Sequence, residues 1–421
     1  MVNERIPPRR RDENNIPGTQ GKRRPTGRDH PAGTLQHNMT TRRILRRKTH
    51  APRRSRGRTR RVRLGTTHHR EHIAKQVHKD TILRRSDMFS RATAMVRLTP
   101  DPYGDFLNRV QVIVGDVMSL KVVVGAGPTG TAVARLLASS GERVRLVSRR
   151  GTAPNHPLIE AVASDATDAE RLTDLTQGAS ALFNCAMPSY DRWPTDWPPL
   201  AEALLTAVEK TNADYIMLSN TYGYGRVSGP IPETQPIAPT TVKGRVRAQM
   251  WLDALTRVRV TEVRAGQYLG AGAASLYALA VAPLVLAGQP VSYPGNLDVA
   301  HSWSYTEDVA RTLVAASEHD NAFGQAWHVP STSDMSVRQL SERLADLAEA
   351  PAPNLTTMPD EEFERLCQTD SIMAETAEMR YLTDEPHVLD STRTERELGV
   401  KPTPLDEVLT ETIRTTSTPQ P

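Results

Sequence analysis

The chain has 421 residues, two cysteines and a formal net charge of +5. It is longer than one ordinary domain, and no stretch of it approaches the ~20 apolar residues of a membrane span. Cys185 and Cys367 are too few and too far apart for a disulfide framework or a metal cluster, so no metal is expected and a reducing cytoplasm is the expected compartment.

The net charge conceals a division. Residues 1–117 carry 28 Lys+Arg against 10 Asp+Glu, or +18, whereas 118–421 carry 25 against 38, or −13. The first stretch holds seven of the 12 histidines and has no sustained apolar period before about Arg109, so it cannot build a core and reads as a disordered basic extension. Runs such as Arg53-Arg-Ser-Arg-Gly-Arg-Thr-Arg-Arg61 would meet nucleic acid through its phosphates. Aromatics for base stacking are almost absent, however, and no nucleic-acid module is spelled out, so nucleic acid is the weaker partner. A second account is an overextended gene start, because Met118 lies immediately before the first strand, where doubly wound domains usually open. Length and acidic residues throughout argue against a transit peptide.

The first strand, Leu120-Lys-Val-Val-Val124, stops on Gly125-Ala126-Gly127-Pro128-Thr129-Gly130 and continues as Thr131-Ala-Val-Ala-Arg-Leu-Leu137. Strand, glycine turn and helix start in this order form a dinucleotide-binding signature. Gly125 serves the tight turn, Gly127 lets backbone approach a pyrophosphate, and Gly130 lets helix and strand pack closely, with the phosphates on the helix's unpaired N–H groups. Strands follow at Arg143–Val147, Glu160–Ser164, Ala179–Asn184, Tyr215–Ser219 and Val260–Arg264, with helices near 168–177, 198–212 and 243–257. This alternation predicts an α/β fold, a doubly wound parallel-sheet Rossmann domain over 118–265. Beyond 266 the rhythm breaks into mixed, Pro-rich segments up to 415. They are expected to form a smaller substrate-side region over the C-terminal strand ends, with parts returning to the sheet.

Several pieces in the right order carry a specific resemblance. They are the glycine loop, Asp165 after the third strand, Asn184-Cys185-Ala186 after the fourth, Ser219-Asn-Thr-Tyr-Gly-Tyr-Gly225 after the fifth, Arg264-Ala-Gly-Gln-Tyr-Leu-Gly270, and Trp303-Ser-Tyr-Thr-Glu-Asp-Val-Ala310. From 118 to about 415 the chain resembles the NAD-dependent epimerase/dehydratase family, the extended short-chain dehydrogenase/reductases, in an atypical branch. The resemblance implies an NAD(P)-dependent oxidoreductase or epimerase acting on a small carbonyl- or hydroxyl-bearing substrate, nucleotide sugars among the candidates, and a helix-paired homodimer.

Cofactor choice turns on the end of the second strand. A carboxylate there would bind the ribose 2′-hydroxyl of NAD, but the sequence has Ser148-Arg149-Arg150. Guanidinium suits a 2′-phosphate, so NADP is favoured over NAD, unless both arginines are merely solvated. Asp165, followed by Ala166, resembles the family residue that hydrogen-bonds adenine; the alternative is an ordinary helix N-cap. Cys185 and Ala186 fall beside the expected nicotinamide ribose, where small side chains permit close approach. As a nucleophile Cys185 lacks a neighbouring base in sequence.

At the reaction centre the chain departs from the family, which places Ser or Thr after the fifth strand and a Tyr-x-x-x-Lys pair on the next helix. Register puts Asn220 at the Ser/Thr position, Lys243 at the tyrosine and Arg247 at the lysine. The nearest phenols are Tyr222 and Tyr224. Tyr222 is the candidate proton-exchanging group and Asn220 the positioner of the substrate oxygen. Lys243 is expected to hold the ribose and lower the phenol's pKa, which needs the two side chains within about 6 Å of each other. His301 is a lone histidine more suited to structure than to catalysis. Trp193 and Trp197, amid Pro194, Pro198 and Pro199, suggest a loop walling the pocket or a hydrophobic plug. Loss of the Tyr-Lys pair leaves a second reading, a dinucleotide-binding redox sensor without turnover. A third is nucleic-acid binding through the basic arm.

Overall fold

In a computed structural model of the chain, the described residues are 119–416 together with two short strands, Met95–Val96 and Val112–Ile113, which pair antiparallel. Apart from those strands, the basic extension over 1–117 lies outside the described residues, as does Met118.

Seven strands form one parallel sheet: β1 (Leu120–Val124), β2 (Arg143–Ser148), β3 (Ile159–Ala163), β4 (Ala179–Asn184), β5 (Asp214–Asn220), β6 (Val260–Ala265) and β7 (Ala326–His328). Their order across the sheet is β3-β2-β1-β4-β5-β6-β7. β1 to β6 fall within a residue or two of the expected strands, because apolar runs buried on both faces are what a covered parallel sheet requires. Alternation along them feeds two cores. Val123, Leu146, Phe183, Ile216 and Val263 face helices α1 (Pro128–Ser139) and α5 (Thr306–Glu318). Val122, Val124, Val147, Leu182 and Met217 face α2 (Ala169–Thr176), α3 (Trp193–Thr211) and α4 (Val242–Arg257).

The chain leaves β1 towards β2 and β3 on one side and returns at β4 on the other. The resulting switch point between β1 and β4 opens a crevice at the strands' C-terminal ends, where ligands of doubly wound sheets bind.

One expectation needs correction. The segment holding Trp193 and Trp197 is the start of α3, five residues ahead of the expected boundary, and not a loop. Pro194 sits in the first turn, where a missing N–H costs nothing, and both indoles are buried among Leu172, Leu200 and Leu204. They plug the core. β7, too short to carry a sequence period, is a part of the chain beyond 266 that returns to the sheet, pairing parallel with β6.

Candidate active site

The glycine loop does three separate things. Gly125 has φ of +105°, and a Cβ there would lie 2.6 Å from the backbone of Cys185 and Ala186. A Cβ on Gly130 would stand 1.9 Å from the Gly125 carbonyl oxygen. Gly127, by contrast, faces open space, with nothing within 4 Å of where its Cβ would be. It is the N-cap of α1, and no side chain caps that end. The tight turn thus falls on Gly125, the close helix packing on Gly130 and the open space on Gly127. The empty flank of Gly127 and the free first N–H groups suit a pyrophosphate.

At the end of β2, Ser148 turns its hydroxyl inward to accept from Gly151 N at 3.1 Å, while Arg149 and Arg150 are exposed. The Asp165 carboxylate accepts from the Thr167 amide at 3.0 Å and the Thr167 hydroxyl at 2.8 Å. Those bonds, helped by the Arg149 charge, hold Asp165 below the usual carboxylate range. Asp165 is not the N-cap of α2. That role belongs to Asp168, which accepts from Arg171 N at 3.0 Å. Asp165 is exposed and Ala166 partly buried, on the turn between β3 and α2.

Past β4, Asn184 accepts from Ala186 N at 3.2 Å and donates to the Tyr215 hydroxyl at 3.2 Å, which ties the turn to β5. Burial pushes the Cys185 thiol up to about 12, so it stays protonated and inert.

The reactive end is built on the turn after β5. Asn220 Oδ1 accepts from Tyr222 N at 3.1 Å, which leaves its NH2 as the group able to donate outward. The Tyr222 hydroxyl accepts from Tyr190 at 3.4 Å, and the Tyr222 ring lies 5.8 Å from that of Trp193. Burial raises the Tyr222 pKa, and Arg247 opposes the rise. Tyr268, on the strand that follows β6, packs against the core cluster that holds Cys185, and burial raises its pKa.

Lys243 departs from its expected role. Its side chain is 0% exposed, and its Nζ pairs with Glu375 and, at 3.3 Å, with Glu378, above the ring of Tyr190 at 4.7 Å. The cation whose field reaches Tyr222 is Arg247. It is 4% exposed and donates to the Leu218 carbonyl, while its Nε is buried without a partner among the described residues. Arginine stays charged despite that burial, and its fork is too wide to turn away as a lysine would. The expectation that Lys243 lowers the phenol's pKa is corrected: its ammonium is paired with Glu375 and Glu378, and it is the Arg247 charge, one turn later on α4, that opposes the rise at Tyr222.

Residues 122–329 match the family model for the NAD dependent epimerase/dehydratase family. They belong to that family. Among solved structures, the fold is similar to a UDP-glucose 4-epimerase from Thermotoga maritima, 19% identical, with a TM-score of 0.57 over 70% of this chain and 98% of that one. It is also similar to a dTDP-glucose 4,6-dehydratase double mutant from Streptomyces venezuelae, 20% identical, with a TM-score of 0.56 over 71% and 96%. An epimerase from Methanothermobacter thermautotrophicus is 18% identical, with a TM-score of 0.58 over 70% and 91%. At such identities the likeness carries the fold alone. No curated protein matches the sequence. Among the described residues, no helix is long and apolar enough to cross a membrane.

Within this epimerase/dehydratase frame, other sequence candidates lie elsewhere. Tyr224 donates to His328 Nε2 at 2.7 Å, and His328 Nδ1 donates to the Asp390 carbonyl at 2.9 Å, a tautomer assigned from the carbonyl. Tyr224 is thereby committed to a buried network with Arg264 and Glu262. His301 is buried with neither ring nitrogen partnered among the described residues, and burial draws its pKa down to about 4. The residues that sequence reasoning missed are Tyr190, Tyr268, Glu375 and Glu378. Tyr268 stood inside a quoted motif; the other three belong to segments whose approach to the site depends on tertiary folding.

Proposed function

We propose that the protein is an NAD(P)-dependent oxidoreductase or epimerase acting on a small carbonyl- or hydroxyl-bearing molecule, with nucleotide sugars the first class to test. One observation carries this reading: the open flank of Gly127, after β1, and the partly buried Tyr222 phenol, on the turn after β5 in the field of Arg247, stand at the same C-terminal end of the parallel sheet. An anion cradle and a proton-exchanging group at one end of the sheet are what such a reaction requires.

Gly125, Gly127, Pro128, Thr129 and Gly130 would hold the pyrophosphate, Cys185 and Ala186 would flank the nicotinamide ribose, and Asp165 and Ala166 would border the adenine. A bound nicotinamide dinucleotide supplies hydride transfer. The absence of a carboxylate after β2, with Arg149 and Arg150 exposed there, supports NADP over NAD.

The chain's own part is proton transfer and positioning. Tyr222, partly buried and with its pKa raised, is a neutral phenol at pH 7, suited to donate its proton to an alkoxide forming on the substrate. The phenolate left behind is stabilised by the Arg247 charge and by the Tyr190 hydroxyl donating to it. Asn220 NH2 orients the substrate oxygen. Lys243, paired with two carboxylates, takes no proton in this scheme.

The test is turnover of a carbonyl and nucleotide-sugar panel with NADPH, comparing the parent with Tyr222→Phe. Loss of turnover with NADPH affinity retained is expected. Tight NADPH binding with no turnover of any member by the parent would instead establish the sensor reading, which the occupied Lys243 ammonium favours.

A further inference from the structure

We infer that residues 371–379 form a lid over the reactive end, latched by Lys243. The helix Ser371–Thr376 contains no buried residue, so apolar packing does not hold it in place. Polar contacts do. Ser371 donates to Asp191 at 2.9 Å, and Glu375 reaches the Lys243 ammonium. Glu378 does two jobs: it pairs with Lys243 Nζ at 3.3 Å and accepts from the backbone amides of Val242 and Lys243 at 2.6 and 3.1 Å, capping α4 from more than 130 residues away. Only at Met379 does the segment bury an apolar side chain, in a cluster that packs on Tyr222.

These contacts fall on the residues that flank the proton-exchanging phenol. Asp191 follows Tyr190, whose ring lies under the Lys243 ammonium and whose hydroxyl bonds Tyr222. Closing the segment therefore seals the Tyr190–Tyr222 pair, and opening it exposes that pair. A segment held by a few partly exposed polar contacts opens at a small fraction of the global unfolding free energy. The latch explains why a lysine stands at this position: a buried ammonium is stable there only with carboxylates delivered by the lid, so its solvation is coupled to closure. The functional role of the lid rests on the reading of Tyr222 given above, whereas the lid's opening is measured independently of turnover.

Glu375→Gln is the clean variant, since Glu375 meets the rest of the chain through Lys243 Nζ whereas Glu378 also caps a helix. Hydrogen exchange on the full chain is expected to show amides of 371–379 exchanging about tenfold faster in Glu375→Gln, with β1 and β5 amides unchanged. Raising salt from about 0.05 to about 0.5 M should accelerate the same amides in the parent and have less effect in the variant. With NADPH as the probe, a larger open fraction should raise the association rate by a similar factor. The lid is overturned if exchange in 371–379 is unchanged, if it rises equally in the sheet, or if the association rate does not move. None of these results depends on finding a substrate, so the lid can fail while the enzyme reading stands, and the reverse.

Discussion

The Tyr190 hydroxyl donates a hydrogen bond to the Tyr222 hydroxyl at 3.4 Å, and the buried Trp193 ring packs against both of their rings. Of the two phenols, Tyr222 is the one that accepts the other's hydrogen bond and whose pKa the Arg247 charge lowers against burial, so it is the one that can give up its proton. Tyr190 lies under the influence of Glu375 and Glu378, which together with burial raise its pKa far out of the working range. Tyr222→Phe should therefore lower kcat by about 100-fold or more, as expected for removing a general acid, with dinucleotide affinity unchanged. Tyr190→Phe keeps the acid but removes a donor to the phenolate, and should cost about tenfold. Equal loss from both variants would show that the hydroxyls act as one unit.

Two glycines in one loop should respond in opposite ways. Alanine at Gly130 drives a methyl into the Gly125 carbonyl, so Gly130→Ala should destabilise the fold by about 1–3 kcal/mol or more, read as a lower unfolding midpoint. Alanine at Gly127 meets nothing, so Gly127→Ala should keep its midpoint and lose at least about tenfold in dinucleotide affinity, because the methyl enters the space left for the phosphates.

Arg149 supplies the cofactor prediction. NADPH should bind more tightly than NADH, and Arg149→Asp should reverse the order, since losing a charge-assisted contact costs about 1.5–3 kcal/mol, roughly tenfold or more. Equal affinity of the parent for both dinucleotides would rule out the pairing of Arg149 with a 2′-phosphate.

Stability should fall on acidification through the histidine range. Burial lowers His301 and His387 to about 4 and His328 to about 3, so each is neutral in the native state near neutral pH. An unfolded histidine binds a proton near 6.5, so below that value the unfolded chain takes up more protons than the native one. Each histidine then withdraws stability at about 1.4 kcal/mol per pH unit as pH falls from about 6.5 towards its native value. Denaturant midpoints measured between pH 7 and pH 5 should drop steeply, and His301→Leu should flatten the slope by one proton's worth. A parent midpoint independent of pH over this range would contradict the buried neutral state.

The strands β1 to β6, the glycine loop and the helix that carries Lys243 and Arg247 were legible in the sequence because each depends on near neighbours. A buried parallel strand is an apolar run, and a glycine turn is a spacing of three residues. What the tertiary structure alone decided was which charge meets which phenol. Lys243 and Arg247 lie four residues apart on α4, and spacing cannot distinguish them. Their roles diverge because Glu375 and Glu378 arrive from a segment some 130 residues further on and pair with the first, which leaves Arg247 as the cation whose field reaches Tyr222. In the same way, Trp193 became core and not pocket wall because α2 and the sheet together offered it a buried place larger than any its proline-rich neighbours suggested. Local sequence determines the elements; long-range packing selects partners, because the free energy of a buried charge depends on every group that replaces its water.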